Sequence, residues 1–270
     1  THTDTHFFSQ LSGYNYSATL FETLSTTAEM EKEHSLLAFA PTFDSSDQIA
    51  LSSQAQRAFN QLKYNRTEVK SIQRVLDVEE NVFLENEATK ANFLTYAGDY
   101  SLIHLATHGN VNDDFGDYSY LAFAETEEGD DFGNRLFVRD LYNLSLQADM
   151  VVLSACETGI GTLKKGEGIM SLARGFFYAG AKSMVTTLWK VSDKSSAKII
   201  KYFYKNLNKQ MSKDAALRQA KLTYISNHPN KLAHPFYWAA YIPIGNMDVL
   251  SLHSSPFNWL FIISLITCVF

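Results

Sequence analysis

Short apolar runs alternate with stretches of helical periodicity along most of the chain. Each run is bounded by polar residues, glycine or proline, and its length is typical of a buried strand. Because strands that alternate with helices form largely parallel sheets, the pattern predicts an α/β domain with crossover helices on both faces of the sheet. The predicted strands cover 35–43, 82–84, 101–109, 120–124, 150–159, 183–189 and 238–245.

Apolar residues recur at helical spacing between these runs. The clearest stripe follows Ser192 and Asp193, which are predicted to cap the start of their helix. Thr89 is predicted to cap an earlier helix, and Gly180 is placed to end a later one. The predicted helices cover 18–24, 65–76, 88–94, 137–144, 169–179, 192–209 and 212–226.

Two of the apolar runs end on reactive side chains. The run 101–109 ends with His108 and Gly109, and the run 150–159 carries Cys156. Where such runs are neighbouring parallel strands, both side chains emerge at the same carboxyl edge of the sheet, which is where open α/β folds place their sites. The pattern therefore predicts a thiol and an imidazole as partners.

A thiol beside an imidazole can attack a carbonyl carbon if backbone N–H groups stabilise the oxyanion. His108 is the candidate base, Cys156 is the candidate nucleophile, and the N–H groups of Gly109 and Cys156 are the candidate oxyanion hole. Each residue also has a structural alternative, since cysteine suits a small buried position and histidine is often a hydrogen-bonded core residue. His104, on the same strand, is predicted to be such a core residue.

The amino-acid composition limits the classes of molecule that the protein is expected to bind. The 270 residues are 46% hydrophobic, enough for one large α/β domain, and the net charge of −6 without a basic cluster argues against nucleic acid. The two cysteines, Cys156 and Cys268, lie in unlike contexts, which indicates a reducing, cytoplasmic compartment and no disulfide framework. The chain starts on Thr without a secretory signal, so we expect a piece of a longer protein.

The last residues form an uncharged apolar tail, Phe257 to Phe270, that follows a predicted domain covering 1–250. A membrane-spanning helix needs about 20 apolar residues, so the tail alone is too short to span a bilayer. Two interpretations of the segment 251–270 stay open. It is either the first part of a longer transmembrane helix, which would anchor the domain, or a packed C-terminal segment.

Two other kinds of site are weakly indicated. Glycines at 159, 161 and 166, with Lys165, follow a strand as in a nucleotide-binding loop, but neither common phosphate-binding spacing is present. A metal site on His104, His108 and Cys156 lacks a second cysteine or paired carboxylates at ligand spacing. We therefore expect neither a cofactor nor a metal.

Four long motifs carry a resemblance to a known family. From about Tyr14 to Gly245 the chain closely resembles the CHAT domain, a family of caspase- and separase-like peptidases often found behind tetratricopeptide repeats. The resemblance implies a caspase-like three-layer α/β sandwich, a catalytic dyad of His108 and Cys156, and further strands and repeats upstream. The motifs are HLATHG, LSACETGIG, GEGIMSLARGFFYAGAKSMVTTLWKVSD and HPFYWAAYIPIG.

The resemblance also implies where a substrate side chain binds. In peptidases of this clan the pocket for the residue before the cleaved bond lies at the end of the strand after the cysteine strand. In this sequence that region contains Thr187, Leu188, Trp189 and Asp193. Asp193 could recognise a basic side chain, although a helix-capping role with Ser192 is the simpler interpretation.

Two functional hypotheses follow. The first is a cysteine endopeptidase that cleaves a protein substrate under the control of an upstream repeat or sensor region. The second is a catalytically silent CHAT-like scaffold that signals by binding.

Overall fold

A computed structural model describes residues 36–43, 61–78, 81–112, 114–125, 133–154, 167–228 and 230–250. No helix within these ranges is long and apolar enough to cross a bilayer. The tail 251–270 and the predicted helix 18–24 lie outside the described residues. The strands are β1 Leu36–Pro41, β2 Val82–Glu85, β3 Leu102–Leu105, β4 Gly109–Asn110, β5 Tyr120–Ala122, β6 Arg135–Phe137, β7 Met150–Leu153, β8 Ser183–Thr187 and β9 Tyr241–Gly245. The helices are α1 Asn65–Leu76, α2 Lys90–Tyr96, α3 Val138–Leu141, α4 Glu167–Tyr178, α5 Asp193–Leu207 and α6 Lys213–Asn227.

Within the described ranges, the main sheet has six strands in the order β2-β1-β3-β7-β8-β9. All neighbouring pairs are parallel except β8 and β9, which are antiparallel. The central strands are buried along their whole length, as expected for a parallel sheet that is covered on both faces. The predicted mostly parallel sheet is confirmed.

Two apolar layers cover the two faces of this sheet, because successive side chains of a strand point to opposite sides. In β1, Leu37 and Phe39 pack with residues of α2, α3 and α4, whereas Leu36, Ala38 and Ala40 pack with residues of α1, α5 and α6. The predicted three-layer sandwich with helices on both faces is therefore confirmed.

Two helix ends lie where local sequence signals predicted them. The hydroxyl of Thr89 accepts the N–H of Asn92 at 3.1 Å and caps α2. Gly180 follows α4 with φ of +112°, in the region that favours glycine, and a Cβ there would collide with the carbonyl oxygen of Leu146.

The prediction of a single strand over 101–109 was wrong in its second half. The strand β3 ends at Leu105, and Gly109–Asn110 belongs to a second, antiparallel sheet in the order β4-β5-β6. Ala106 still bonds to Phe39 of β1, but the carbonyl of His108 already accepts the N–H of Ala122, at 2.8 Å. The chain therefore crosses from one sheet to the other between these positions.

The prediction of a helix over 137–144 was also too long. Arg135–Phe137 is the strand β6, and the helix α3 covers only Val138–Leu141.

Candidate active site

The register between β3 and β7 determines where the chain leaves the main sheet ahead of each reactive residue. The strands are parallel neighbours, Leu105 pairs with Leu153, and the N–H of Ser154 donates to the carbonyl of Leu105 at 3.1 Å. His108 and Cys156 each follow three residues after these paired leucines. Cys156 itself lies outside the described residues.

His108 lies in a buried position between the two sheets. The residue is only 1% exposed, and its ring packs against Phe43 with centroids 4.8 Å apart. The backbone around it is held by β5, because the carbonyl of His108 accepts the N–H of Ala122 and the hydroxyl of Thr107 donates to the carbonyl of Ala122. A fixed backbone restricts where the imidazole can point.

Gly109 is the first residue of β4 and pairs with Leu121 of β5. Hydrogen-bonded and non-hydrogen-bonded pairs alternate along an antiparallel ladder. His108 and Ala122 form a hydrogen-bonded pair, so the next pair, Gly109 and Leu121, is a non-hydrogen-bonded one. The N–H of Gly109 is therefore directed away from β5, as an oxyanion donor requires.

The first residue of α1 connects the ends of two strands near His108. The side-chain amide of Asn65 donates to the carbonyl of Pro41 at 2.8 Å and to that of Ala106 at 3.3 Å. Asn65 is buried, so these bonds are shielded from water. The chain two residues before His108 is consequently held by a helix as well as by the sheet.

A buried polar cluster lies beneath β3 on the face covered by α1 and α5. The ring of His104 contacts Oε1 of Glu68 through Nε2 at 2.9 Å and the hydroxyl of Tyr204 through Nδ1 at 3.1 Å. All three side chains are at most 1% exposed. Burial, with a smaller contribution from Glu68, raises the pKa of Tyr204 well above its usual value. The prediction that His104 is a hydrogen-bonded core residue is confirmed.

The same cluster reaches the end of β7. The carbonyl of Ser154 accepts hydrogen bonds from the hydroxyl of Tyr241 at 3.0 Å and from that of Ser196 at 2.9 Å. Ser196 also donates toward Oε2 of Glu68 at 3.3 Å. The cluster thus extends from the middle of β3 to the last described residue before Cys156.

Sequence reasoning missed Glu68, Ser196 and Tyr241. A signal for two of them existed, because Glu68 and Ser196 lie four residues before Ile72 and Ile200 and so share the buried face of their helices. A polar residue on an apolar helix face indicates a buried hydrogen-bonding partner.

Three of the substrate-pocket candidates lie at the carboxyl end of β8, next to β7. Thr187 is buried and pairs with Tyr241 of β9. Leu188 and Trp189 are half-buried, and the indole N–H of Trp189 donates to the carbonyl of Phe236 at 3.0 Å. These residues form a partly apolar surface at the same edge of the sheet as the ends of β3 and β7.

Asp193 has a different role from the predicted cap on its own helix. Its Oδ2 accepts the N–H of Tyr64 at 2.7 Å, and Tyr64 is the N-cap residue of α1. The side chain of Ser192, at the N-cap of α5, makes no capping bond. Burial raises the pKa of the Asp193 carboxyl, partly offset by the N–H groups of Tyr64 and Lys63. The carboxyl therefore connects the starts of two helices.

The described residues contain no group of three or more His, Cys, Asp or Glu side chains that could hold a metal ion.

A family model described as the CHAT domain matches residues 6–246, which is most of the chain. The chain belongs to the CHAT domain family. Tetratricopeptide repeat protein 28 from Mus musculus is similar to this CHAT domain, with 31% identity over 120 residues, and the Homo sapiens protein has 30% identity over the same length. The aligned segment is 44% of this chain and 5% of either relative.

Two solved structures show a weaker similarity. The Arg-specific cysteine proteinase gingipain R is 8% identical, with a TM-score of 0.49 over 80% of this chain and 46% of its own. The Saccharomyces cerevisiae separase–securin complex is 13% identical, with a TM-score of 0.49 over 86% of this chain and 13% of the matched chain.

Proposed function

We propose that this CHAT domain is a cysteine endopeptidase in which His108 and Cys156 form the catalytic dyad. The observation that carries the proposal is the register of β3 and β7, in which both residues follow three positions after a directly paired Leu105 and Leu153. Neighbouring strands lie about 4.8 Å apart, so the segments that lead from Leu105 to His108 and from Leu153 to Cys156 start side by side at the same edge of the sheet.

The proposed reaction has two stages. The imidazole of His108 takes the thiol proton, and the Cys156 sulfur attacks the peptide carbonyl carbon. The same proton then passes to the leaving amine as the C–N bond breaks, which leaves a thioester on Cys156. In the second stage water gives a proton to His108 and attacks the thioester, and the thiolate leaves and is reprotonated.

Support for an oxyanion hole comes from Gly109. Its N–H is directed away from β5, and it lacks a side chain that could block a substrate carbonyl. We propose that this N–H and that of Cys156 donate to the oxyanion, an arrangement whose single donors are worth about 10²–10³ in rate in other acyl-transfer enzymes.

The substrate side chain before the cleaved bond is proposed to contact Leu188 and Trp189 at the end of β8, beside the buried Thr187. Two of these side chains are half-buried, so they retain surface that a substrate can cover. Asp193 remains a less favoured contact, since its carboxyl already accepts the N–H of Tyr64.

Partners are proposed from the names of the relatives. Both matched relatives are tetratricopeptide repeat proteins, and this chain aligns with 5% of their length. We propose that such repeats precede this domain in the complete protein and control its access to a protein substrate.

The proposal is tested by incubating the chain with a peptide library and identifying cleaved bonds by mass spectrometry. General acid–base catalysis contributes about 10²–10⁴-fold, so His108→Ala and Cys156→Ala are each expected to lower kcat/KM at least about 100-fold. Cys268→Ala is the matched control and should retain activity. Cleavage that survives either dyad substitution would refute the proposal, and a wild type that neither cleaves nor reacts with thiol electrophiles would favour the silent scaffold.

A further inference from the structure

Three buried side chains hold the backbone that leads into the nucleophile. We propose that Tyr241, Ser196 and Glu68 are positioning residues that fix the carbonyl of Ser154 and thereby orient Cys156 for catalysis. This inference rests on the proposed peptidase function and assigns these side chains a role in it.

The carbonyl of Ser154 lies where the strand ladder has already ended. The pairing between β7 and β8 covers only Val151 and Val152. Beyond it, the hydroxyls of Tyr241 and Ser196 donate to the Ser154 carbonyl at 3.0 and 2.9 Å. Side-chain hydroxyls from β9 and α5 therefore bond this carbonyl beyond the paired residues of β7 and β8.

Glu68 completes the arrangement by offering Ser196 a second acceptor. The single hydroxyl proton of Ser196 can point to the Ser154 carbonyl or to Oε2 of Glu68, which is 3.3 Å away. The same hydroxyl is also within hydrogen-bond distance of the hydroxyls of Tyr241 and Ser154. The Tyr241 hydroxyl donates to the Ser154 carbonyl in the second case, so that oxygen has a donor in both arrangements. All four residues are at most 2% exposed, so water does not compete for these bonds.

Ser154 is thereby held through both of its backbone polar groups. Its N–H bonds to Leu105 of β3, and its carbonyl bonds to Tyr241 and Ser196. A peptide group is planar, so fixing this carbonyl restricts the chain two residues before Cys156. A misplacement of about 1 Å in a reacting group can cost about 10²-fold in rate.

Stability alone does not account for a network of this kind. Replacing both partners of a buried hydrogen bond with apolar groups of the same shape can be nearly neutral or stabilising. The network also ends on a main-chain oxygen, that of Ser154, which lies two residues before Cys156 in the sequence. A role in orienting that main chain explains why the network is polar and why it ends on a main-chain oxygen.

The chain offers a matched control for the deletion of one buried hydroxyl. Tyr224 is 1% exposed, lies in the same apolar layer as Tyr241, and its hydroxyl bonds to Oγ of Ser195 at 2.8 Å. Tyr224→Phe removes a comparable bond, but one that does not involve Ser154.

The test measures the rate at which iodoacetamide alkylates Cys156 as a function of pH, in the 270-residue chain carrying Cys268→Ser. We expect Tyr241→Phe and Ser196→Ala to slow alkylation at pH 7 by about 10-fold and to change its pH profile relative to the parent. Tyr224→Phe should stay within about 2-fold of the parent, with Tm measured for every variant.

Equal alkylation profiles for Tyr241→Phe and Tyr224→Phe, at similar Tm, would overturn the positioning role. The proposed dyad is judged separately, because an unchanged profile in His108→Ala would refute the dyad and not the positioning role. The two failures are therefore distinguishable within one series of variants.

Discussion

Replacing Glu68 with leucine is expected to destabilise the domain strongly. The carboxylate is 1% exposed and contacts Nε2 of His104 at 2.9 Å and Oγ of Ser196 at 3.3 Å. Leucine has a similar size but accepts no hydrogen bond. The substitution therefore leaves two buried polar groups without this acceptor.

The magnitude follows from the burial of the partners. His104 and Ser196 are 0% and 2% exposed, so water cannot replace the lost acceptor. Leaving a buried donor or acceptor without its partner typically costs about 1–3 kcal/mol, which is a large share of a total stability of about 5–15 kcal/mol. We expect Glu68→Leu to lower the free energy of unfolding by about that amount.

A double-mutant cycle with His104→Leu separates pairing from packing. Each single substitution leaves the other partner without the His104–Glu68 bond, whereas the double substitution removes both polar groups from an apolar layer. We expect the double variant to be more stable than the sum of the single effects predicts, by at least about 2 kcal/mol.

Urea unfolding at pH 7, followed by far-ultraviolet circular dichroism and tryptophan fluorescence, measures all three variants. A loss below about 1 kcal/mol in Glu68→Leu, or additive effects in the double variant, would refute the reasoning.

Three further predictions concern stability. Burial lowers the pKa of Lys221 to about 8, whereas a lysine in the unfolded chain titrates near 10.4. Below pH 8 the folded protein bears the cost of the buried charge, and this cost is relieved as the pH rises from about 8 to 10.4. The free energy of unfolding therefore increases over that range by up to about 3 kcal/mol. In urea titrations the free energy of unfolding of the wild type should rise over that range relative to that of Lys221→Met. A difference between the two proteins that does not change with pH would contradict the prediction. Thr89→Ala should cost about 1 kcal/mol in urea unfolding and Thr89→Ser almost nothing, whereas equal losses would exclude the cap. Gly180→Ala should cost about 1–3 kcal/mol because of its positive φ and the collision with Leu146, and a neutral or raised Tm would contradict this.

The main sheet and its helices were predictable because their signals are local. The run 35–43 and the stripe after Ser192 each contain enough residues to reveal a period. The strands β4 and β6 contain two and three residues, too few for a period, and they exist because both pair with β5. The sequence pattern therefore predicted the sandwich and missed the small sheet.

The candidate site also has a part that the sequence predicted and a part that it did not. His108 and Gly109 were identified because a reactive side chain follows an apolar run directly. The partners of Asp193 and of Ser154 lie 129 and 87 residues away along the chain, in Tyr64 and Tyr241. No periodicity connects such positions, so these contacts needed the three-dimensional fold.

The most direct test of the central claim is a crystal structure of the chain with a peptide aldehyde bound, in which the distance from Cys156 Sγ to the nearest ring nitrogen of His108 is measured. The account predicts a covalent bond from Sγ to the aldehyde carbon and a His108 nitrogen within about 4 Å of the sulfur. An aldehyde bound at another residue, or a His108 ring more than about 6 Å from Sγ in that complex, would contradict it.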